Sequence, residues 1–497
     1  MNRFLIGLDI GTSNVKAGLF DANGQLLVRA SAPIQLYLPQ PGWVEQDPND
    51  WWKGACKVLR QILNRVDPAE VVALGLSGQC PGHVLVAADF QPIGRAIIWR
   101  DQRAVEEAAW LNEHITPAQT QEWVGTDYLG GATCPPARLL WLKTHRRENW
   151  EEAVSVIQPK DFIALKLTGR TATDCHSAYC LANPETGNYD ARYFDFIGIP
   201  LAKMPKVLQP TDVVGEVTRK ASQQTGLGSG TRVIIGTIDA YCDNLAGGVI
   251  FNGRAVDVAG TSEIVSLGIE QRIYAAGVYP ARIGDAGSFL CGPTQAGGDT
   301  LRWLADCFYS EFKGRINFER MEQEAQSVPA GSEGLIFLPY LNGERAPLWD
   351  VNARGAFIGL TFAHRRQHCT RAVYEGVAFA IRHILEISEE AAGSKAEEVV
   401  VCGGGSRSSF WNQVKADVLQ RPIRPTAVSE TGCLGAAILA SVGVGIHPGL
   451  KKACERMILF RDLLMPDRAL MKVYDAGYQL YRGLYPALMP LFLKARS

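Results

Sequence analysis

The chain has 497 residues, with 50 Lys and Arg against 51 Asp and Glu, a net charge of -1 and 47% hydrophobic residues. A nucleic-acid or membrane-surface binder needs an excess of cationic side chains gathered on one face, and this balance excludes one. The length provides for about two to four domains at roughly 100–200 residues each. The 12 cysteines are scattered singly, with no C-x-x-C pair and no zinc spacing, and read as reduced thiols of a cytoplasmic protein. No uncharged apolar run approaches the ~18–20 residues of a membrane helix. The stretch 4–10 is interrupted by Asp9 and runs straight into Gly11-Thr12-Ser13, so it is expected as a buried strand and not a signal peptide.

In chain order, strands are expected at 4–9, 15–20 and 25–32. The first two are joined by Gly11-Thr12-Ser13-Asn14 and the next pair by Asp21-Ala22-Asn23-Gly24, where Asn-Gly is a strong hairpin signal. Trp51, Trp52, Ala55, Val58, Leu59 and Ile62 recur at helical spacing after Pro48. Strands follow at 71–76 and 84–87, with a helix at 104–111. Such alternation predicts α/β architecture with a covered sheet. Near residue 230 the same grammar restarts, with a strand at 233–236, a helix or turn at 239–248, and strands at 254–258 and 264–267. Asp9-Ile10-Gly11-Thr12-Ser13 returns as Asp257-Val258-Ala259-Gly260-Thr261-Ser262 with one residue added, which suggests two related domains. A strand at 399–402, the run Gly403-Gly404-Gly405, a helix at 410–419 and a small-residue helix at 434–442 complete the pattern. The domain boundary is expected near 246–252, giving domains 1–248 and 249–497.

A strand ending in Gly-Thr-Ser offers backbone N–H groups and hydroxyls with no Cβ to block approach, which suits phosphate oxygens. Asp9 could hold Mg²⁺ through water, and Lys16 could reach a phosphate. Gly403-Gly404-Gly405 leads from a strand into a helix, as Gly297-Gly298 precedes the amphipathic Leu301, Leu304, Phe308, and either can pass close under a nucleotide. Asp239 ends an apolar strand, where a carboxylate can act as general base or as a helix N-cap. Asp243, four residues on, competes for the same role, and local pattern does not separate them. Gln79-Cys80-Pro81 with Gly82 and His83 could supply polar contacts to a small ligand or simply turn the chain. Trp99 and Asp101 could stack on and hydrogen-bond to a sugar, or form a core indole beside an ion pair.

Together these stretches resemble the FGGY family of carbohydrate kinases. The most specific are Asp9-Ile10-Gly11-Thr12-Ser13, Gly42-Trp43-Val44-Glu45-Gln46-Asp47-Pro48, Pro159-Lys160-Asp161-Phe162, Gly260-Thr261-Ser262, Asn342-Gly343-Glu344-Arg345-Ala346-Pro347 and Glu375-Gly376-Val377-Ala378-Phe379. The resemblance covers nearly the whole chain. It implies a two-domain actin-like (ribonuclease H-like) ATPase fold with an interdomain cleft, and transfer of the ATP γ-phosphate to a hydroxyl of a ketose or polyol, xylulose foremost. Carried over position by position, it makes Asp239 the catalytic base, with Asp9 and Asp239 near Mg²⁺. Gly11, Thr12, Ser13, Lys16, Gly260, Thr261 and Ser262 become phosphate contacts, and Gly298, Gly404, Gly405 and Ser409 adenine-nucleotide contacts. Gln79, Cys80, Pro81, Trp99 and Asp101 join Asp239 around the sugar. A homodimer is a family-level expectation; nucleic-acid and membrane partners are not expected.

The chain departs from the family pattern at four places. Cys80-Pro81 stands where xylulose kinases usually show Met-His, Glu263 where Gly is usual, Arg138 where a Lys is usual, and Ser409 where some members carry Asn. A protein-binding actin-like ATPase and a weakened sugar-binding regulator are the alternatives to a kinase.

Overall fold

The computed structural model describes residues 3–126, 130–284, 286–312 and 316–494. The chain packs into two units, Met1–Cys242 with Gly432–Met457, and Asp243–Thr431 with Ile458–Ser497. This differs from two contiguous halves. The break falls at residue 242, inside the helix Asp239–Gly247, and the segment 432–457 belongs to the first unit.

The first unit is built on a six-stranded sheet in the order Val213–Glu216, Arg232–Ile238, Val71–Gly78, Phe4–Ile10, Asn14–Phe20, Leu26–Pro33. Its three central strands run parallel, and the hairpin strands are antiparallel. The helix Pro48–Leu63 begins at an Asp47 cap and buries Trp51, Ala55, Val58, Leu59 and Ile62.

In the second unit the order is Tyr279–Ile283, Gly287–Pro293, Glu263–Ile269, Ala255–Ala259, Val399–Cys402, Ile423–Pro425. An antiparallel hairpin again leads into parallel neighbours. Only the added edge strand differs, lying beyond the parallel strands in one sheet and beyond the antiparallel ones in the other. The repeat read in the two Gly-Thr-Ser segments therefore extends to sheet topology.

The helix Thr431–Gly443 shows why 432–457 joins the first unit. It is Ala- and Gly-rich because it lies backbone to backbone on the central strands. A Cβ at Gly7 would stand 1.8 Å from the Cys433 carbonyl oxygen, one at Gly75 2.0 Å from that of Ala436, and one at Gly435 2.1 Å from that of Cys242. No helix among the described residues is long and apolar enough to cross a membrane.

Candidate active site

In the first unit, Gly11-Thr12-Ser13 turns between the two N-terminal strands, with the Gly11 N–H donating to the Asn14 carbonyl at 3.1 Å. Asp9 lies just before the turn and is buried. Its Oδ1 accepts from Ser77 Oγ at 2.8 Å, its Oδ2 lies 4.0 Å from the half-exposed Lys16 ammonium, and Gly432 packs against the carboxylate.

Thr12 gathers residues that lie far apart in sequence. Trp99 Nε1 donates to Thr12 Oγ1 at 2.8 Å, Thr12 Oγ1 lies 3.4 Å from Gln79 Oε1, and Gln46 Nε2 donates to the Thr12 carbonyl at 2.7 Å. Gln79 Nε2 and Trp51 Nε1 both donate to Gln46 Oε1, at 2.7 and 3.0 Å. Two residues expected around a sugar thus meet one expected around phosphate, joined by Gln46, to which the sequence assigned no role.

The 79–82 loop is held from behind. Gly82 N–H donates to Gln158 Oε1 at 2.7 Å, and Cys80 Sγ lies 3.8 Å from that oxygen and 3.9 Å from the Ser177 carbonyl. Arg138 is fully buried and donates to the carbonyls of Pro81, Trp99 and Asp101 at 3.3, 3.1 and 2.9 Å. The Lys-to-Arg departure therefore supplies a fork that fixes both edges of the expected sugar wall. Burial pulls its guanidinium down to about 10.

Asp101 takes another role than ligand contact. Its carboxylate is buried and accepts from Val44 N–H at 2.6 Å and from Arg103 at 2.7 and 2.8 Å, while Arg103 lies over the Trp43 ring. His83 pairs through its backbone with Ile97, but among the described residues neither ring nitrogen has a hydrogen-bond partner; burial and then the Arg138 charge hold it neutral, well below the ordinary histidine range.

The carboxylates at 239 and 243 part company. Asp239 opens the helix after strand Arg232–Ile238, half-buried, with Oδ1 accepting the Ala240 N–H at 2.7 Å. Burial and then the Asp174 and Asp239 carboxylates push the Cys80 thiol well up, so Asp239 bears on the 79–82 loop. Asp243 belongs to the second unit, where its Oδ1 accepts from Thr431 Oγ1 at 2.6 Å and its carbonyl lies 3.6 Å from Cys402 Sγ.

In the second unit, Gly260-Thr261-Ser262 is braced by the start of the helix Gly298–Phe308, whose Gly298 and Asp299 N–H groups donate to the Gly260 and Thr261 carbonyls at 3.0 and 2.9 Å. Such contact excludes side chains at Gly297 and Gly298, where a Cβ would stand 2.6 Å from the loop backbone. Arg345 Nη2 reaches Ser262 Oγ at 3.2 Å and the Thr294 carbonyl at 2.5 Å, another brace with no assigned role in the sequence reading. Gly403-Gly404-Gly405 runs past the end of strand Ala255–Ala259. A Cβ at Gly405 would stand 2.5 Å from that of Ala259, whereas Gly404 is open to solvent. Ser409 is exposed on the first turn of the helix Ser409–Leu419, whose N-cap is Ser408. Glu263 points inward, with Oε2 3.1 Å from the buried Lys415 ammonium, which also meets Asp257 at 2.6 Å.

Glu344 gives this half a pH dependence. It is 3% exposed, with Oε1 accepting the Gln295 and Arg345 N–H groups at 2.6 and 2.7 Å and Oε2 without a hydrogen-bond partner among the described residues. Burial outweighs these donors and pushes its carboxyl up to about 8 from an ordinary 4.5. Between those values the folded protein binds one more proton than the unfolded chain. The contribution is therefore complete below about 4.5 and is lost as pH rises through about 8. Glu344→Gln is expected to flatten the fall in thermal stability over that range, measured by melting scans across pH.

Among the described residues one group has metal-ligand spacing, Asp174 with Cys175 and His176. Lys160 already fills the cationic position, its Nζ 2.8 Å from Asp174 Oδ1. Asp9 fits a water-mediated Mg²⁺ better, since the Lys16 ammonium stands no nearer than 4.0 Å to its Oδ2. At Gly297, Gly298, Gly403 and Gly405 the space of a Cβ is taken by the chain's own atoms, so these glycines serve close packing, while Gly404 is exposed and leaves its backbone open to a ligand.

The model of the FGGY family of carbohydrate kinases, N-terminal domain, matches residues 4–246, and that of the C-terminal domain matches residues 255–444. Xylulose kinase of Bacillus subtilis is 29% identical over 490 residues, 97% of each chain. The L-xylulose/3-keto-L-gulonate kinase of Escherichia coli is 31% identical over 509 residues, 98% of each. Gluconate kinase from Lactobacillus acidophilus superposes with a TM-score of 0.88 at 26% identity, covering 99% of this chain and 100% of that one.

Proposed function

The chain belongs to the FGGY family of carbohydrate kinases, phosphotransferases with an alcohol group as acceptor on the two-domain actin-like fold, and we propose that it phosphorylates a neutral ketopentose from ATP with Asp239 as general base. The observation that carries the reading is the placing of Asp239 at a strand end, beside the Cys80 loop, while Asp243 is bonded to Thr431. Two relatives are named for xylulose or L-xylulose, which supports a pentulose acceptor, although one of them is named for the sugar acid 3-keto-L-gulonate as well.

Phosphoryl transfer asks the protein for alignment and charge stabilisation more than for covalent chemistry. Asp239 accepts the proton of the attacking hydroxyl. Gln79, Trp99 and Thr12 form one rigid polar surface that orients the acceptor, with Arg138 fixing the loop behind it. The backbone of Gly260-Thr261-Ser262, braced by Arg345, and of Gly11-Thr12-Ser13 would hold phosphate oxygens, and Gly298, Gly404, Gly405 and Ser409 would flank the nucleoside. Asp9, with Asp239 near it in role, would hold Mg²⁺, which when bound neutralises phosphate charge.

Charge favours a neutral acceptor over a sugar acid. At Cys80 burial and then the carboxylates of Asp174 and Asp239, with Asp161 behind them, push the thiol up against the opposing Lys160 ammonium. An aldonate would meet repulsion there. The test is ADP release with Mg-ATP across ketopentoses, ketohexoses, pentitols, glycerol and gluconate, each corrected for the acceptor-free rate. A ketopentose raising turnover by orders of magnitude over gluconate supports the reading, and a preference for gluconate overturns its substrate class. ATP hydrolysis that no acceptor stimulates would sink the kinase assignment itself.

A further inference from the structure

Lys160 is 1% exposed and carries a charge that buried side chains keep only when well partnered. Its Nζ lies 2.6 Å from Asp161 Oδ1 and 2.8 Å from Asp174 Oδ1, both carboxylates fully buried. Its Cβ presses on the end of strand Val71–Gly78, since a Cβ at Gly78 would stand 3.0 Å away. The loop at 79–82 springs from that strand end.

Each carboxylate continues into a different part of the acceptor side. Asp161 Oδ2 accepts the Gln158 N–H at 3.2 Å, and the Gln158 side chain holds Gly82 N–H and touches Cys80. Asp174 Oδ2 accepts from Thr237 Oγ1 at 2.8 Å, and Thr237 stands two residues before Asp239. Asp174 Oδ1 also accepts from Ser177 Oγ, and the Ser177 carbonyl lies against Cys80 Sγ. At Gly236 (φ 65°) the strand carrying Thr237 breaks register, with so close an approach to the Leu76 carbonyl that a Cβ would stand 1.6 Å from its oxygen. Past that break, the side-chain bond from Thr237 to Asp174 fixes the approach to Asp239.

We propose that Lys160 is the positioning residue of the acceptor side: through Asp161 and Asp174 it sets the separation between the sugar loop and Asp239, and so which hydroxyl of a bound sugar meets the base. The inference rests on the reading of Asp239 and the Cys80 loop given above. It follows from geometry alone, because a misplacement of about 1 Å between hydroxyl and base costs roughly 10²-fold in rate.

Lys160→Met would strand two buried carboxylates and endanger folding, so the arms are tested separately. Thr237→Val removes one hydroxyl at constant shape. It is expected to lower kcat roughly 10- to 100-fold with the acceptor KM held within about twofold, and Thr237→Ser is expected to restore kcat. Gln158→Met frees the loop instead. Its expected signature is a raised acceptor KM and a second phosphate ester among the products, seen by phosphorus NMR. If both variants only lower thermal stability, with kcat, KM and product unchanged from wild type, Lys160 is structural and the inference falls alone. A wild-type protein that turns over no acceptor of the panel overturns the kinase reading and this inference together.

Discussion

Asp239→Asn is expected to lose acceptor-dependent turnover by about 10²- to 10⁴-fold, the span usual for removing a general base. The amide keeps an oxygen that can accept the Ala240 N–H, so the start of the helix Asp239–Gly247 keeps its bond. What it loses is the capacity to take a proton. Nucleotide affinity, measured by calorimetry without sugar or Mg²⁺, is expected to change little, because in the proposed reading Asp239 acts on the acceptor hydroxyl. Asp243→Asn is the matched control. Its carboxylate accepts from Thr431 Oγ1 at 2.6 Å inside the second unit, so the change weakens a part-buried bond and is expected to lower the melting temperature while kcat stays within a few-fold. If Asp243→Asn abolished turnover in a well-folded protein and Asp239→Asn did not, the assignment of the base would be reversed.

Lys415→Met is expected to have the largest effect on stability, about 3–5 kcal/mol, the usual result of removing one partner from a buried ion pair. Lys415, Asp257 and Glu263 are all at most 1% exposed. Burial pulls the Lys415 ammonium down, yet Asp257 and Glu263 hold it above its ordinary value. Burial and the Asp257 carboxylate push the Glu263 carboxyl well up, against Lys415. Without the ammonium, two carboxyls face each other in a dry interior. Glu263→Gln placed on Lys415→Met removes one of them and is expected to recover part of the loss, with a coupling of about 1 kcal/mol or more in a double-mutant cycle followed by urea unfolding. The triad joins the two strands flanking Gly260-Thr261-Ser262 to the helix that follows the glycine run, so the same variant is expected to weaken nucleotide binding in whatever fraction remains folded. Additive single and double variants would show that the three groups do not act together.

Much of this was legible in the sequence where the signal is local. Asn23-Gly24 specifies its turn because Gly24 takes φ 80° there, and the two Gly-Thr-Ser turns follow strands whose apolar runs announce buried sheet. Asp239 and Asp243 were equal candidates by local pattern, and it was the family resemblance that favoured Asp239. The hidden parts are those fixed by distant pairs. Lys160, Arg138, Arg345 and Lys415 carry no local signal of the partners they bury against, and only the fold brings each beneath a loop; Lys415 meets Asp257 across 158 positions. Gln46 lies in a recognisable stretch, yet its bond to Gln79 spans 33 residues and has no periodic trace. The small-residue helix at 431–443 was seen as a helix, while its choice of sheet was not, because close backbone packing is a property of the two glycine-bearing strands that receive it.

That helix also sets an order of events during synthesis. The ribosome releases residues 1–242 well before 432–457, so the first sheet must wait with Gly7 and Gly75 uncovered while the whole middle of the chain is made. Most of the second unit is a segment inserted into the first, and the two ends of that segment, at 243 and 431, are joined side chain to side chain through Asp243 and Thr431. The insertion can therefore mature as a loop tied at its neck, and its maturation returns the late helix to the strands it has to cover. A fragment ending near residue 248 would keep every residue of the acceptor loop and still lack the backbone that seals the sheet beneath it.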